Sequence, residues 1–262
     1  NTSATLIHAQ VLEEKSPNNY TRIQFINVWT LPKFNKWSQK IWIQSCYNQL
    51  KKRIDFKKID IIHAHGYIAG FLAWYCSEQM EIPFIQSLHH SDILMNQVKS
   101  WRIPLLKNSL QASRQVIVPS KAVQNSIERF YNINYSLIIP NYLHFDQIPV
   151  TNSLPETPKK LICVTSEEKM KRNEELIQFA QKYNLAVDIY GISQQDIVMN
   201  VESDKIRICG KLSRHKLIEK YHEYDAFISM SAYETFGISM LEALGAGIPV
   251  IYSNKFGSQE FM

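Results

Sequence analysis

A chain of 262 residues with a formal net charge of +5 is longer than one average domain, domains commonly running ~100 to 200 residues, and short for two large ones. Its 45% hydrophobic and 20% charged content excludes disordered, collagenous and coiled-coil classes, and no apolar run reaches the ~20 residues that a bilayer-spanning helix needs. The positive charge is modest and a good part of it gathers in one segment, which suggests an anionic surface or ligand more than nucleic acid.

The chain opens at Asn1 without a charged-then-apolar leader pattern, so a soluble, cytoplasmic protein with an upstream segment missing is expected. Cys46, Cys76, Cys163 and Cys209 are widely spaced and form no C-x-x-C, as buried free thiols of a reducing compartment would.

Runs rich in Ile, Val and Phe between turn residues predict strands at 22–28, 59–63, 84–88, 115–118 and 137–139. Between the first two, residues 36–58 interleave Trp37, Ile41, Trp42, Tyr47, Leu50 and Ile54 with Lys36, Lys40, Lys51, Lys52, Arg53, Lys57 and Lys58. Such a helix either lies on an anionic inner-leaflet surface or packs its apolar stripe on a sheet and shows its lysines to water. Ser120 precedes the periodic Val123, Ile127 and Phe130 and is placed to cap a helix.

Pro140, Pro149, Pro155 and Pro158 then interrupt the pattern, which sets domains at 1–149 and 150–262. Strands resume at 160–165, 186–190, 206–209, 226–229 and 249–252, with helix-length segments between them. Both halves therefore read as α/β units with doubly wound, mostly parallel sheets.

The chemistry concentrates in 233–250, where a strand is followed by a loop, a helix over about 238–246 and a stop at Gly247 and Pro249. Ligands of open α/β sheets bind outside the carboxyl ends of strands, so this loop lies where a site belongs. Gly237 removes a side chain at the helix entrance, where the first N–H groups lack intrahelical partners and attract anions. Glu234 and Glu242 stand eight residues apart, up to ~12 Å if that stretch were wholly helical. Paired glycosidase carboxylates flank one bond at ~5 to 9.5 Å, so the spacing leans towards two groups gripping different parts of one extended ligand.

The ungapped stretch Tyr-Glu-Thr-Phe-Gly-Ile-Ser-Met-Leu-Glu-Ala-Leu-Gly-Ala-Gly-Ile-Pro-Val from Tyr233 resembles the Glu-x7-Glu signature of retaining GT-B glycosyltransferases of family 4. The resemblance implies two Rossmann-like domains facing across a cleft, the amino-terminal one binding the acceptor and the carboxyl-terminal one the nucleotide sugar. It places Glu234 at the transferred sugar and Glu242 at the nucleotide ribose, with the amides of Phe236, Gly237 and Ile238 along the donor. Glu260 falls where the family has a glutamate closing a Gly-rich loop. Arg172 takes the position of a diphosphate-binding lysine, Ser166 that of an arginine, and Lys169 or Lys171 is available to compensate for the serine.

In the first half, residues 61–66 are similar to the family's strand-to-helix turn with His65, and Leu88-His89-His90-Ser91-Asp92 resembles its His-Gly-Ser-Asp loop. His89 then stands at the sugar, with His90 where glycine is usual. Pro140-Asn141-Tyr142 is similar to a Pro-Asn-Gly turn, Asn141 lying at the cleft. His63, His65, His89, His90 and Asp92 also form a zinc-type set, a reading disfavoured because no downstream His/Cys cluster completes it.

The implied reaction is metal-independent transfer of a hexose-type sugar, with retained configuration, from a UDP- or GDP-sugar to a glycan, glycolipid or protein-linked acceptor. No cofactor is implied, and residues 36–58 would hold the protein against the inner leaflet. The alternatives are a catalytically inactive GT-B subunit that binds a nucleotide sugar or glycan for a partner, and a sugar-nucleotide epimerase.

Overall fold

The computed structural model describes residues 6–16, 19–29, 38–143, 145, 148–150, 155–253 and 257. Two units form the chain, one of residues 1–118 and 124–138, the other of residues 119–123 and 139–262.

The first unit begins with a hairpin, β1 (Leu6–Ser16) paired antiparallel to β2 (Asn19–Trp29). The strand expected at 22–28 is the middle of β2. Its partner β1 is an addition to the expected elements, and a two-residue connection permits only the antiparallel return.

Helix α1 (Gln39–Lys51) buries Trp42, Ile43, Cys46, Tyr47 and Leu50, an i, i+4, i+8 stripe. Trp42 is 1% exposed, and the lysines at 40, 51, 52, 57 and 58 face water. The aromatic stripe proposed for a membrane face is therefore internal. Ile41 remains outside, and Lys36 and Trp37 lie outside the described residues.

A 3-10 turn at Phe56–Lys58, with the Asp55 side chain accepting from the Lys57 N–H, carries the chain past the predicted start at 59, so β3 covers Ile62–His65. The unit continues through α2 (Tyr67–Met80), β4 (Phe84–Ser87), α3 (Ser91–Leu94), α4 (Ile103–Ala112), β5 (Gln115–Val118), α5 (Lys121–Tyr131) and β6 (Ser136–Ile138). Its sheet runs β3-β4-β5-β6, all parallel. Ser120 Oγ accepts from the Val123 N–H at 3.4 Å, the expected cap.

The second unit alternates β7 (Lys160–Val164), α6 (Asn173–Lys182), β8 (Ala186–Tyr190), β9 (Ile206–Gly210), α7 (Arg214–Lys220), β10 (Ala226–Ser229), α8 (Ile238–Gly245) and β11 (Val250–Tyr252). Five parallel strands lie in the order β11-β10-β7-β8-β9. Apolar cores cover both faces, Leu176, Ile177, Val187 and Ile189 on one and Tyr221, Phe227, Met240 and Ala243 on the other. Successive β8 side chains thus alternate between two dry layers, which is why the strand reads as almost uninterrupted apolar sequence. The chain winds outward from β7 to β9, then crosses back to build β10 on the other side of β7. That reversal opens the switch-point crevice between the carboxyl ends of β7 and β10.

Candidate functional site

The loops leaving β7 and β10 meet at this crevice. The Ala232 N–H donates to the Met170 carbonyl at 2.8 Å, which brings residues 169–172 against 231–237. There Lys171 Nζ donates to Glu234 Oε1 in a short ion pair, and Ser231 Oγ donates to the same oxygen at 3.1 Å. Both charged side chains are only 17% exposed, so their attraction is less screened than at an open surface.

Arg172, expected at the diphosphate, is exposed and its side chain has no partner among the described residues. Its backbone occupies the left-handed region, φ 53°, as it turns into α6. The cation delivered to Glu234 is thus its neighbour, Lys171. Ser166 is half-buried and brings no cation; its carbonyl accepts from Asn173 Nδ2 at 2.7 Å, and Asn173 Oδ1 accepts from Thr165 Oγ1 at 2.7 Å. This cluster fixes the β7 loop. A side chain on Gly191, φ 99°, would overlap the Thr165 carbonyl oxygen, so the β8 turn is pressed against the same loop.

Gly237 enters α8 at φ 90° and ψ 56°, a conformation open to glycine at little cost. Phe236 is buried at 3% exposure, leaving its backbone rather than its ring to a ligand, and Ile238 is exposed. Glu242 is 3% exposed, against the expectation for a single helix glutamate. Arg214 Nε donates to its Oε1 at 2.9 Å and Tyr221 OH to its Oε2 at 3.1 Å. Burial and Glu242 together push the Tyr221 hydroxyl far above its usual pKa, so it stays a donor. Glu260 lies outside the described residues, and Asn141 is half-buried in the second unit.

In the first unit the histidines stack at the carboxyl ends of β3 and β4. Ring centroids lie 4.2 Å apart for His63 and His65 and 5.8 Å for His65 and His89. His63 Nε2 bonds Ser87 Oγ at 2.8 Å. Partial desolvation, then the neighbouring imidazoles, lower the pKa of His63 and His89. Both side chains are open to water, so mutual repulsion is the firmer cause. His90 has φ −87°, an ordinary extended backbone that needs no glycine, and its ring covers Gly66, φ 85°, where any side chain would collide with it. The absent side chain of Gly66 thus makes room for the His90 ring. Asp92 Oδ2 accepts from Tyr67 OH at 2.8 Å, and Arg102 Nη1 donates to the same phenol at 3.0 Å. Among the described residues, no group of three His, Cys, Asp or Glu side chains is arranged to hold a metal ion.

Arg214 and Tyr221 are functional candidates that motif reading passes over, because a contact across α7 and α8 leaves no spacing signal. The buried Asp188 of β8 is another: it accepts from Arg207 Nε at 2.6 Å and Tyr224 OH at 2.7 Å.

The sequence profile of Glycosyltransferase Family 4 matches residues 7–144, and that of Glycosyl transferases group 1 matches residues 144–262. The chain belongs to glycosyltransferase family 4. An uncharacterised glycosyltransferase of Methanocaldococcus jannaschii is 23% identical, over 93% of this chain and 70% of its own length. The N-acetyl-alpha-D-glucosaminyl L-malate synthase of Bacillus anthracis is 24% identical, over 78% of this chain and 59% of its own length. Among solved structures, sucrose-phosphate synthase from Thermosynechococcus elongatus superimposes with a TM-score of 0.74 at 18% identity, covering 95% of this chain and 69% of that one. Anabaena HepE in complex with UDP and glucose gives 0.69 at 17%, over 89% and 68%. The fold is that of the GT-B glycosyltransferases, and the chain spans roughly half to 70% of the length of the relatives that it matches along most of its own length. Among the described residues no helix is long and apolar enough to cross a membrane.

Proposed function

We propose that the protein transfers a hexose-type sugar, with retained configuration, from a UDP- or GDP-sugar to a glycan, lipid-linked or protein-linked acceptor. The observation that carries this reading is the Lys171–Glu234 pair at the crevice between β7 and β10. A nucleotide sugar has an anionic diphosphate beside a neutral, hydroxyl-rich ring, and the pair offers one partner to each. Lys171 and the first N–H groups of α8 face the charge that grows on the leaving nucleoside diphosphate, and Glu234 orients the sugar. The complexes of HepE with UDP and with glucose support the donor class.

The test is nucleotide release and product formation from UDP- and GDP-sugars by the full-length protein, with a chelator present. Turnover that falls at least ~100-fold in Glu234→Ala is expected if the carboxylate orients the reacting sugar. No turnover with any donor, combined with tight donor binding, supports the second reading, an inactive binding subunit, which the missing cation at Ser166 favours. The exposed lysines of residues 40–58 support a place beside an anionic surface, tested by flotation with anionic vesicles; their binding should fall as salt rises.

A further inference from the structure

The loop between β10 and α8 is held along its backbone by bonds from several separate segments. Ser253 Oγ, just beyond β11, donates to the Ser231 carbonyl at 2.6 Å. The Ala232 N–H donates to the Met170 carbonyl at 2.8 Å, and the Gly257 N–H donates to the Glu234 carbonyl at 3.0 Å. Ser120 Oγ donates to the Thr235 carbonyl at 2.7 Å. Residues 119–123 belong to the second unit, so each of these ties lies within it. Backbone groups taken out of water need such partners, but a hydroxyl is a choice of side chain rather than a consequence of chain geometry. Ser120 is 0% exposed and its oxygen already accepts from the Val123 N–H as the cap of α5. Capping needs only an acceptor, and Asp or Gly would serve nearly as well. Neither of those has a hydroxyl proton to donate to Thr235.

Ser253 works on the other side of Glu234 through a short relay. It holds the carbonyl of Ser231, whose own hydroxyl donates to Glu234 Oε1 at 3.1 Å, the oxygen that Lys171 also takes. We propose that Ser120 and Ser253 are positioning residues, which fix the backbone on either side of Glu234 and so aim its carboxylate at the transferred sugar. This rests on the donor reading above and deepens it. Gly257 belongs to the same device, because a side chain there would overlap the Thr235 carbonyl and crowd the Ser120 hydroxyl. Orientation of this kind matters at the ångström scale, since a misplacement of ~1 Å can cost ~100-fold in rate. Neither serine hydroxyl bonds Lys171 or α8, which face the diphosphate in that reading, so their loss spares nucleotide binding.

The experiment measures steady-state turnover of UDP- and GDP-sugars, and dissociation constants of UDP and GDP alone, on the full-length wild type, Ser120→Gly, Ser253→Ala and Ser253→Thr. Glycine caps a helix nearly as well as serine, so Ser120→Gly removes the tie to Thr235 and keeps α5. Ser120→Gly and Ser253→Ala should each lower kcat ~10- to 100-fold while the nucleotide dissociation constant moves less than ~3-fold. Ser253→Thr restores the hydroxyl and should return kcat to within ~3-fold of the wild type. Wild-type turnover in either hydroxyl-free variant, or equal losses of turnover and nucleotide affinity, overturns the positioning role alone. Nucleotide sugars that the wild type binds but never turns over, or does not bind at all, overturn the transferase reading and this inference together.

Discussion

At Arg172 and Lys171 two adjacent cations have opposite fates. Arg172 holds a left-handed backbone that costs a non-glycine residue ~1 to 2 kcal/mol, and its side chain is exposed and does not pair with Glu234. Arg172→Gly should therefore keep donor affinity and raise the midpoint of chemical denaturation. Lys171→Ala should weaken nucleotide binding ~10-fold or more, since it removes the charge-assisted donor and leaves half-buried Glu234 without its cation. Titration calorimetry on the two variants separates them; equal losses would return the diphosphate to Arg172. Asp188 gives a pH test. Burial opposes its ionisation, but hydrogen bonds from Arg207 and Tyr224 and the Arg207 charge hold its carboxyl below the usual value. Its folded value is depressed, so its contribution is complete above the unfolded value of ~3.9 and is lost as pH falls through the folded one. Asp188→Asn should cost about 1 to 3 kcal/mol at pH 7, measured by denaturation, and the gap to wild type should close on acidification.

At the scale of elements, legibility followed periodicity. β5 and β8 stand where their Val and Ile content puts them, β8 because a strand buried on both faces announces itself as an apolar run, β5 because Ile117 keeps its half-buried face apolar too. The start of β3 shifts from 59 to 62 because the Asp55 cap forms a 3-10 turn that no apolar period records. Glu234 and Gly237 were readable from the strand-loop-helix order, whereas the Glu242 partners were not, since Arg214 lies 28 residues away on another helix. The apolar and basic stretch at 36–58 admitted two faces, and only packing shows Trp42 inside. Gly191 tests the β7 and β8 loop contact. Gly191→Ala should destabilise by ~2 kcal/mol or more, because it adds both a left-handed penalty and overlap with the Thr165 carbonyl. An unchanged thermal midpoint would show that the loops are free to part.

At the scale of the molecule, the second unit carries the argument about function. Its sheet order fixes a crevice beside β7, and the charged groups gathered there come from the loops after β7 and β10 and from α8. The first unit offers His65, His89, His90 and Asp92 at its own carboxyl strand ends. The central claim is that the crevice of the second unit binds a nucleotide sugar, and thermal unfolding with UDP- and GDP-sugars tests it most directly. At a hundred times its dissociation constant the correct donor should add ~2.7 kcal/mol of stability to the wild type. At the same ligand concentration that gain should fall by about half or more in Lys171→Ala and in Glu242→Ala. An unmoved transition with every nucleotide sugar, or an equal shift in both variants, would contradict the account.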